Sequence, residues 1–152
     1  MRSLQMTKGI VLLAQNNETD DYVLQACLLA MSAKVHNKVQ ISVITNDDVP
    51  QEYVDLFDQI IPIPFGDAAD DSEWKVENRW KIYHASPYDE TIVMDTDMLV
   101  LQNIDVWWDF LSNYEIFYTN NVLTYKGETA NTEYYRQTFI DNNLPNLFCG
   151  LH

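Results

Sequence analysis

The sequence predicts an α/β fold: a mostly parallel sheet flanked by helices. Three observations predict it. Apolar, partly β-branched runs at 8–15, 39–45 and 91–94 read as buried strands. Helical periodicity fills the intervals between them, the pattern of strand–helix–strand crossovers. Polar groups follow three strand ends: Gln15-Asn16, Asn46-Asp47-Asp48 and Asp95-Thr96-Asp97. In parallel sheets ligands bind beyond the carboxyl ends of the strands, so those groups mark one candidate site.

Each element has a local reason. Residues 8–15 are continuously apolar, as a strand covered on both faces must be. Thr19 or Asp20 is a suitable N-cap for the helix that follows. Leu24, Leu28, Met31 and Val35 recur at helical spacing and predict its apolar face, with Asn37 as the stop. Residues 39–45 alternate and are β-branched, a second strand. Residues 50–57 predict a short helix, and 59–63 a short strand closed by Pro62 and Pro64.

The acidic stretch 66–73 reads as a loop with the position of a lid. Residues 74–85 predict a helix with Val76, Trp80 and Tyr83 on one face, ended by Pro87. Residues 91–94 form a buried strand, 104–111 a short helix, 115–118 a strand, 132–141 a helix, and 147–151 a strand-like run.

Composition bounds the function. The chain has 152 residues, one domain's worth, with 47% hydrophobic residues and 21% charged. Nine Lys and Arg against 23 Asp and Glu leave a net charge of −14. Such a surface repels phosphate backbones and anionic membranes, which disfavours general nucleic-acid binding. A phosphate-bearing ligand would need a metal ion or a few placed cations. No run is long enough for a membrane span. Cys27 and Cys149 make no disulfide framework and no signal peptide opens the chain, so cytoplasm is the expected location.

Asp95 and Asp97 are two apart in an extended segment and so point the same way, Cα atoms about 6.7 Å apart. Two carboxylates at that separation repel by about 2.5 kcal/mol at an effective dielectric of 20. Apolar flanks, Ile92-Val93-Met94 before and Met98-Leu99-Val100 after, reduce their solvation. A cation between them removes the cost, and Mn²⁺ or Mg²⁺ suits such oxygen ligands.

The segment 93–105, Val-Met-Asp-Thr-Asp-Met-Leu-Val-Leu-Gln-Asn-Ile-Asp, resembles the Asp-x-Asp motif of GT-A-fold glycosyltransferases, above all the glycogenin-like group, family 8. Arg79-Trp80-Lys81-Ile82-Tyr83 with Pro87-Tyr88-Asp89 is similar to the helix leading into that motif. Leu13-Ala14-Gln15-Asn16 and Tyr22 resemble the first nucleotide-binding strand and the helix after it; Phe148-Cys149-Gly150 is similar, more loosely, to a later strand.

The resemblance implies a Rossmann-like GT-A fold and transfer of a sugar from a nucleotide-diphosphate sugar, a UDP-sugar, to an unknown acceptor. It implies that Asp95 and Asp97 hold the metal, Asp95 also meeting the ribose, and that Arg79 and Lys81 meet the diphosphate or sugar. Gln15, Asn16 and Tyr22 would meet the base. Asp95, Asp97 and Arg79 are the expected catalytic residues.

The third metal ligand of that group is commonly a later His, and this sequence stops at His152. Residues 1–152 are therefore expected to be the nucleotide-sugar-binding part of a longer domain, with 1–7 a tail. His36 and His84 read as surface or packing residues, Cys27 as packing and Trp107-Trp108 as core caps. Two alternatives stand beside the transferase. One is a non-catalytic nucleotide- and metal-binding module. The other is a haloacid-dehalogenase-like phosphatase, disfavoured because Asp95 does not follow the first strand and Leu99 replaces the expected Thr or Val.

Overall fold

A computed structural model describes residues 7–69, 75–114, 123 and 126–128. The elements are β1 (Lys8–Leu13), α1 (Tyr22–His36), β2 (Gln40–Ile44), a 3-10 turn (Gln51–Leu56) and β3 (Gln59–Ile61). A 3-10 segment (Lys75–Lys81) then runs into α2 (Ile82–Ala85), followed by β4 (Glu90–Met94) and α3 (Asp105–Leu111). Expectations for 115–118, 132–141, 147–151, Cys149 and Phe148-Cys149-Gly150 lie outside the described residues.

Among the described residues four strands form one sheet in the order β3-β2-β1-β4, every pairing parallel. Leu13 pairs with Ile44 and Leu12 with Met94, so the carboxyl ends of β1, β2 and β4 lie side by side. The fold is thus α/β, with helices against a parallel sheet.

Strand alternation assigns the two faces. Ile10, Leu12, Ile41, Val43, Ile92 and Met94 meet α1, while Val11, Ile44 and Val93 face Ile63 and Ile82. Both faces are covered, which is why β1 reads as one apolar run.

α1 corrects one expectation. The stripe Leu24, Leu28, Met31 and Val35 is the exposed face, and Val23, Ala26, Cys27, Leu29, Ala30 and Ala33 are buried against the sheet. The helix is apolar all round, so periodicity alone does not choose a side. The small side chains choose it, because Ala26, Ala30 and Ala33 let the helix approach the sheet closely. Its N-cap is Asp21, whose Oδ1 accepts from the Leu24 N–H at 2.8 Å. Thr19 and Asp20 immediately precede it, where Asn17 Oδ1 accepts from both backbone N–H groups. Asn37 ends the helix as expected.

The segment 75–85 reverses its expected polarity as well. Val76, Trp80 and Tyr83 are exposed, and Asn78, Lys81 and Ile82 are buried. A buried polar network, described below, overrides the apolar pattern. Trp107 and Trp108 are half-buried against the core, and Cys27 is buried, as expected. Burial raises the Cys27 thiol above its ordinary pKa, with Asp21 adding to the effect.

Gly9 sits where Tyr88 crosses β1: a Cβ there would lie 2.2 Å from the Tyr88 ring. Tyr88 in turn pairs its hydroxyl with Ser42 Oγ at 2.7 Å. Gly9→Ala is expected to displace Tyr88 and cost about 1–3 kcal/mol, read as a lower urea midpoint. An unchanged midpoint would show that the ring moves freely.

Candidate functional site

A pocket opens beyond the carboxyl ends of β1 and β4. β1 and its continuation contribute Leu13 and Gln15, and the start of α1 contributes Tyr22. Lys75, Val76, Arg79 and Ile82 form a second wall, and Val93 to Asp97 the third. Of the expected site residues, Gln15, Tyr22, Arg79, Asp95 and Asp97 meet here; Asn16 and Lys81 do not line the pocket.

Thr96 explains how the two aspartates are displayed. It is buried, with Oγ1 reaching Gln25 Oε1 of α1 at 3.5 Å. Asp95 and Asp97 flank it and line the pocket, Asp97 exposed and Asp95 partly buried. The Arg79 guanidinium donates to Asp95 Oδ1, an ion pair on the pocket wall. Burial pushes the Asp95 carboxyl above its ordinary pKa; the Arg79 charge pulls it down, Asp97 pushes it up, and the net direction is upward. The two charges thus act against each other, although β4 ends at Met94 and Thr96-Asp97 form a turn in place of the extended segment expected.

Two carboxylates are what Mg²⁺ or Mn²⁺ takes from a protein when phosphates and water complete its shell. Both carboxylates line the pocket, Asp95 with one oxygen engaged by Arg79. Among the described residues no group of three or more His, Cys, Asp and Glu could hold a metal ion. His36 and His84 are exposed on helix surfaces, outside the pocket lining.

Asn16 holds the turn instead. Its Oδ1 accepts from the Val23 N–H at 3.0 Å, and its own N–H donates to Asp47 Oδ2 at 2.8 Å. The polar end of β2 thereby braces the polar end of β1.

Beneath the pocket wall lies a network that sequence reading missed. Asn78 is fully buried, and its Nδ2 donates to Gln15 Oε1 and Asp67 Oδ1, each at 2.6 Å. Gln15 Nε2 donates to Asp67 Oδ2 at 2.6 Å. Lys81, 2% exposed, donates to Asn78 Oδ1 and the Gly66 carbonyl. Lys75 Nζ donates to the Ala69 carbonyl at 2.8 Å. The described part of the expected lid, residues 66–69, is thus tied down by side chains from β1 and the 75–81 segment. In the 3-10 register Lys75, Asn78 and Lys81 fall in one row, a polar row that an α-helical reading of 74–85 does not show.

Burial alone pushes the Asp67 carboxyl upward. Bonds from Asn78, the Ala69 N–H and Gln15, with the Lys75 charge, outweigh it and hold Asp67 below its ordinary pKa. The unfolded chain therefore binds more protons than the native one across the ordinary carboxylate range. Asp67 contributes stability above that range, lost as pH falls through its lowered native value. Asp67→Asn is expected to be less stable than the parent at pH 7, with the gap narrowing as pH drops below 4. A gap in urea midpoint independent of pH would contradict this.

No protein-family model matches the chain, and no curated protein matches it.

Proposed function

We propose that the chain binds the donor of a metal-dependent glycosyltransferase of the GT-A type, Rossmann-like in fold, using a UDP-sugar. The observation that carries the reading is the meeting of Asp95, Asp97 and Arg79 in one pocket at the carboxyl edge of a parallel sheet. The glycogenin-like resemblance of residues 93–105 supplies the reaction class.

Asp95 and Asp97 would hold Mn²⁺ or Mg²⁺, which when bound neutralises the diphosphate and stabilises the departing nucleoside diphosphate. Arg79, which lines the same pocket, would offer its guanidinium fork to the same anion. Its contact with Asp95 keeps that fork in the pocket before ligand arrives. Tyr22 and Gln15 line the pocket and would meet the base. Gln15 is already committed to Asp67 and Asn78, so it acts on the base through its position. Lys81, buried and bound to Gly66, supports the wall from behind.

The test is calorimetric titration of UDP with Mn²⁺ and again with excess EDTA. Binding that needs the metal is the expected result. Equal binding with EDTA, or none in either case, would overturn the reading.

A further inference from the structure

We propose that Arg79 guards the cation site: its guanidinium holds Asp95 in place of a divalent metal ion and yields only when a nucleoside diphosphate arrives to take it. Resting on the donor-site reading above, this makes the entry of metal and nucleotide a coupled event.

The charges on the pocket wall lead to this. Asp95 and Asp97 bring two negative charges to the pocket, and Lys75 and Arg79 bring two positive ones. Lys75 Nζ donates to the Ala69 carbonyl at 2.8 Å, and its charge acts on Asp67, on the loop side. Arg79 donates to Asp95 Oδ1, on the side of the carboxylate pair. The Arg79 side chain is 27% exposed and that of Asp95 40%. Water and salt therefore weaken their contact less than that of a fully exposed pair. Its effect is felt at Asp95, where the Arg79 charge opposes the upward push of burial and of Asp97. Arg79 thus supplies, from within the chain, the cation that two neighbouring carboxylates need.

A divalent ion and this guanidinium are rivals. A metal that takes Asp95 as a ligand needs an oxygen of the same carboxylate. On Oδ1 it must displace Arg79. On Oδ2 it stands beside a fixed positive charge, a repulsion that a partly buried site screens poorly. Either way the metal alone binds weakly.

A diphosphate changes the balance. It offers the guanidinium fork the paired acceptor oxygens that arginine suits, and it brings negative charge for the metal as well. Arg79 can then leave Asp95 without losing a counter-ion, and Asp95 is freed. Metal and nucleotide therefore assist each other, and by linkage each raises the other's affinity by the same factor. Direct contact between metal and diphosphate would couple them too, so the mark of Arg79 is found in the metal alone.

The test is Mn²⁺ binding to the nucleotide-free chain, read by loss of the free-ion electron paramagnetic resonance signal. The parent is compared with Arg79→Met and Lys75→Met. Arg79→Met is expected to bind Mn²⁺ alone roughly tenfold more tightly than the parent. Lys75→Met removes the same charge from the same pocket but not from Asp95, and is expected to change Mn²⁺ affinity by less than about threefold. UDP is then titrated calorimetrically in saturating Mn²⁺, and is expected to bind Arg79→Met roughly tenfold more weakly than the parent. One substitution thus tightens one ligand and loosens the other, which a folding defect cannot do. Mn²⁺ affinity in Arg79→Met equal to or below that of the parent would overturn the proposal, even where metal-dependent UDP binding upholds the donor site. So would an equal gain in Lys75→Met, or UDP binding indifferent to the loss of Arg79. No UDP bound by the parent, with the Mn²⁺ gain in Arg79→Met intact, would remove the donor-site reading and the diphosphate's part, and leave Arg79 and the metal as rivals for Asp95.

Discussion

Asp97→Ala is expected to abolish Mn²⁺-dependent UDP binding, with affinity falling more than 100-fold. Loss of a partner outside a metal's direct ligands costs about 10–100-fold, and Asp97 would be one of two direct ligands. Its exposure makes the experiment clean, because truncating an exposed side chain leaves the core intact. The melting temperature without ligand should stay within about 2 °C of the parent, or rise slightly as repulsion on Asp95 is relieved. UDP affinity within threefold of the parent in the presence of Mn²⁺ would remove Asp97 from the site, and the transferase reading with it.

Asn78→Ala is expected to have the largest effect on stability. Asn78 is fully buried and makes four hydrogen bonds, to Gln15, Asp67, the Ala68 N–H and Lys81. Truncation leaves buried polar atoms without their partner, and removes one of the acceptors that satisfy a buried ammonium. Removing one member of such a buried arrangement costs about 3–4 kcal/mol. For a chain of this size that is a fall in melting temperature of about 10 °C. A fall below about 3 °C would show that water replaces the amide without penalty. The same variant separates stability from ligand contact, since Asn78 does not line the pocket.

These two residues differ in how readable they were. Asp97 was visible because charge in an apolar segment is anomalous, although the strand period expected for 95–97 gives way to a turn after Met94. β1 and β4 were visible for the related reason that strands covered on both faces have no polar side to disguise them, and β2 through its β-branched alternation. Asn78 was invisible because a polar residue in a helical stretch reads as solvated, and no local pattern reports that Gln15 and Asp67 lie opposite. The same blindness inverted α1. Leu24 and Leu28 look like core, whereas the buried face is Val23, Ala26, Leu29, Ala30 and Ala33, mostly small side chains over the sheet. Arg79 and Tyr22 were found through resemblance to a family motif, and their convergence with Asp95 depends on strand order, which no local window contains.

That strand order has a kinetic consequence. β1 finds β2 about thirty residues along the chain, Leu13 against Ile44, but must wait for β4 from beyond eighty, Lys8 against Glu90. The entropic difference between the two closures is about 1 kcal/mol, enough to favour an order of events in which β1, α1 and β2 associate first. Asp95 and Asp97 arrive with the late strand. A chain caught halfway therefore has a sheet but no carboxylate pair, and nothing to offer a metal-bound nucleotide. Ligand can reward only the finished topology, acting by mass action on completed molecules rather than guiding the search toward them.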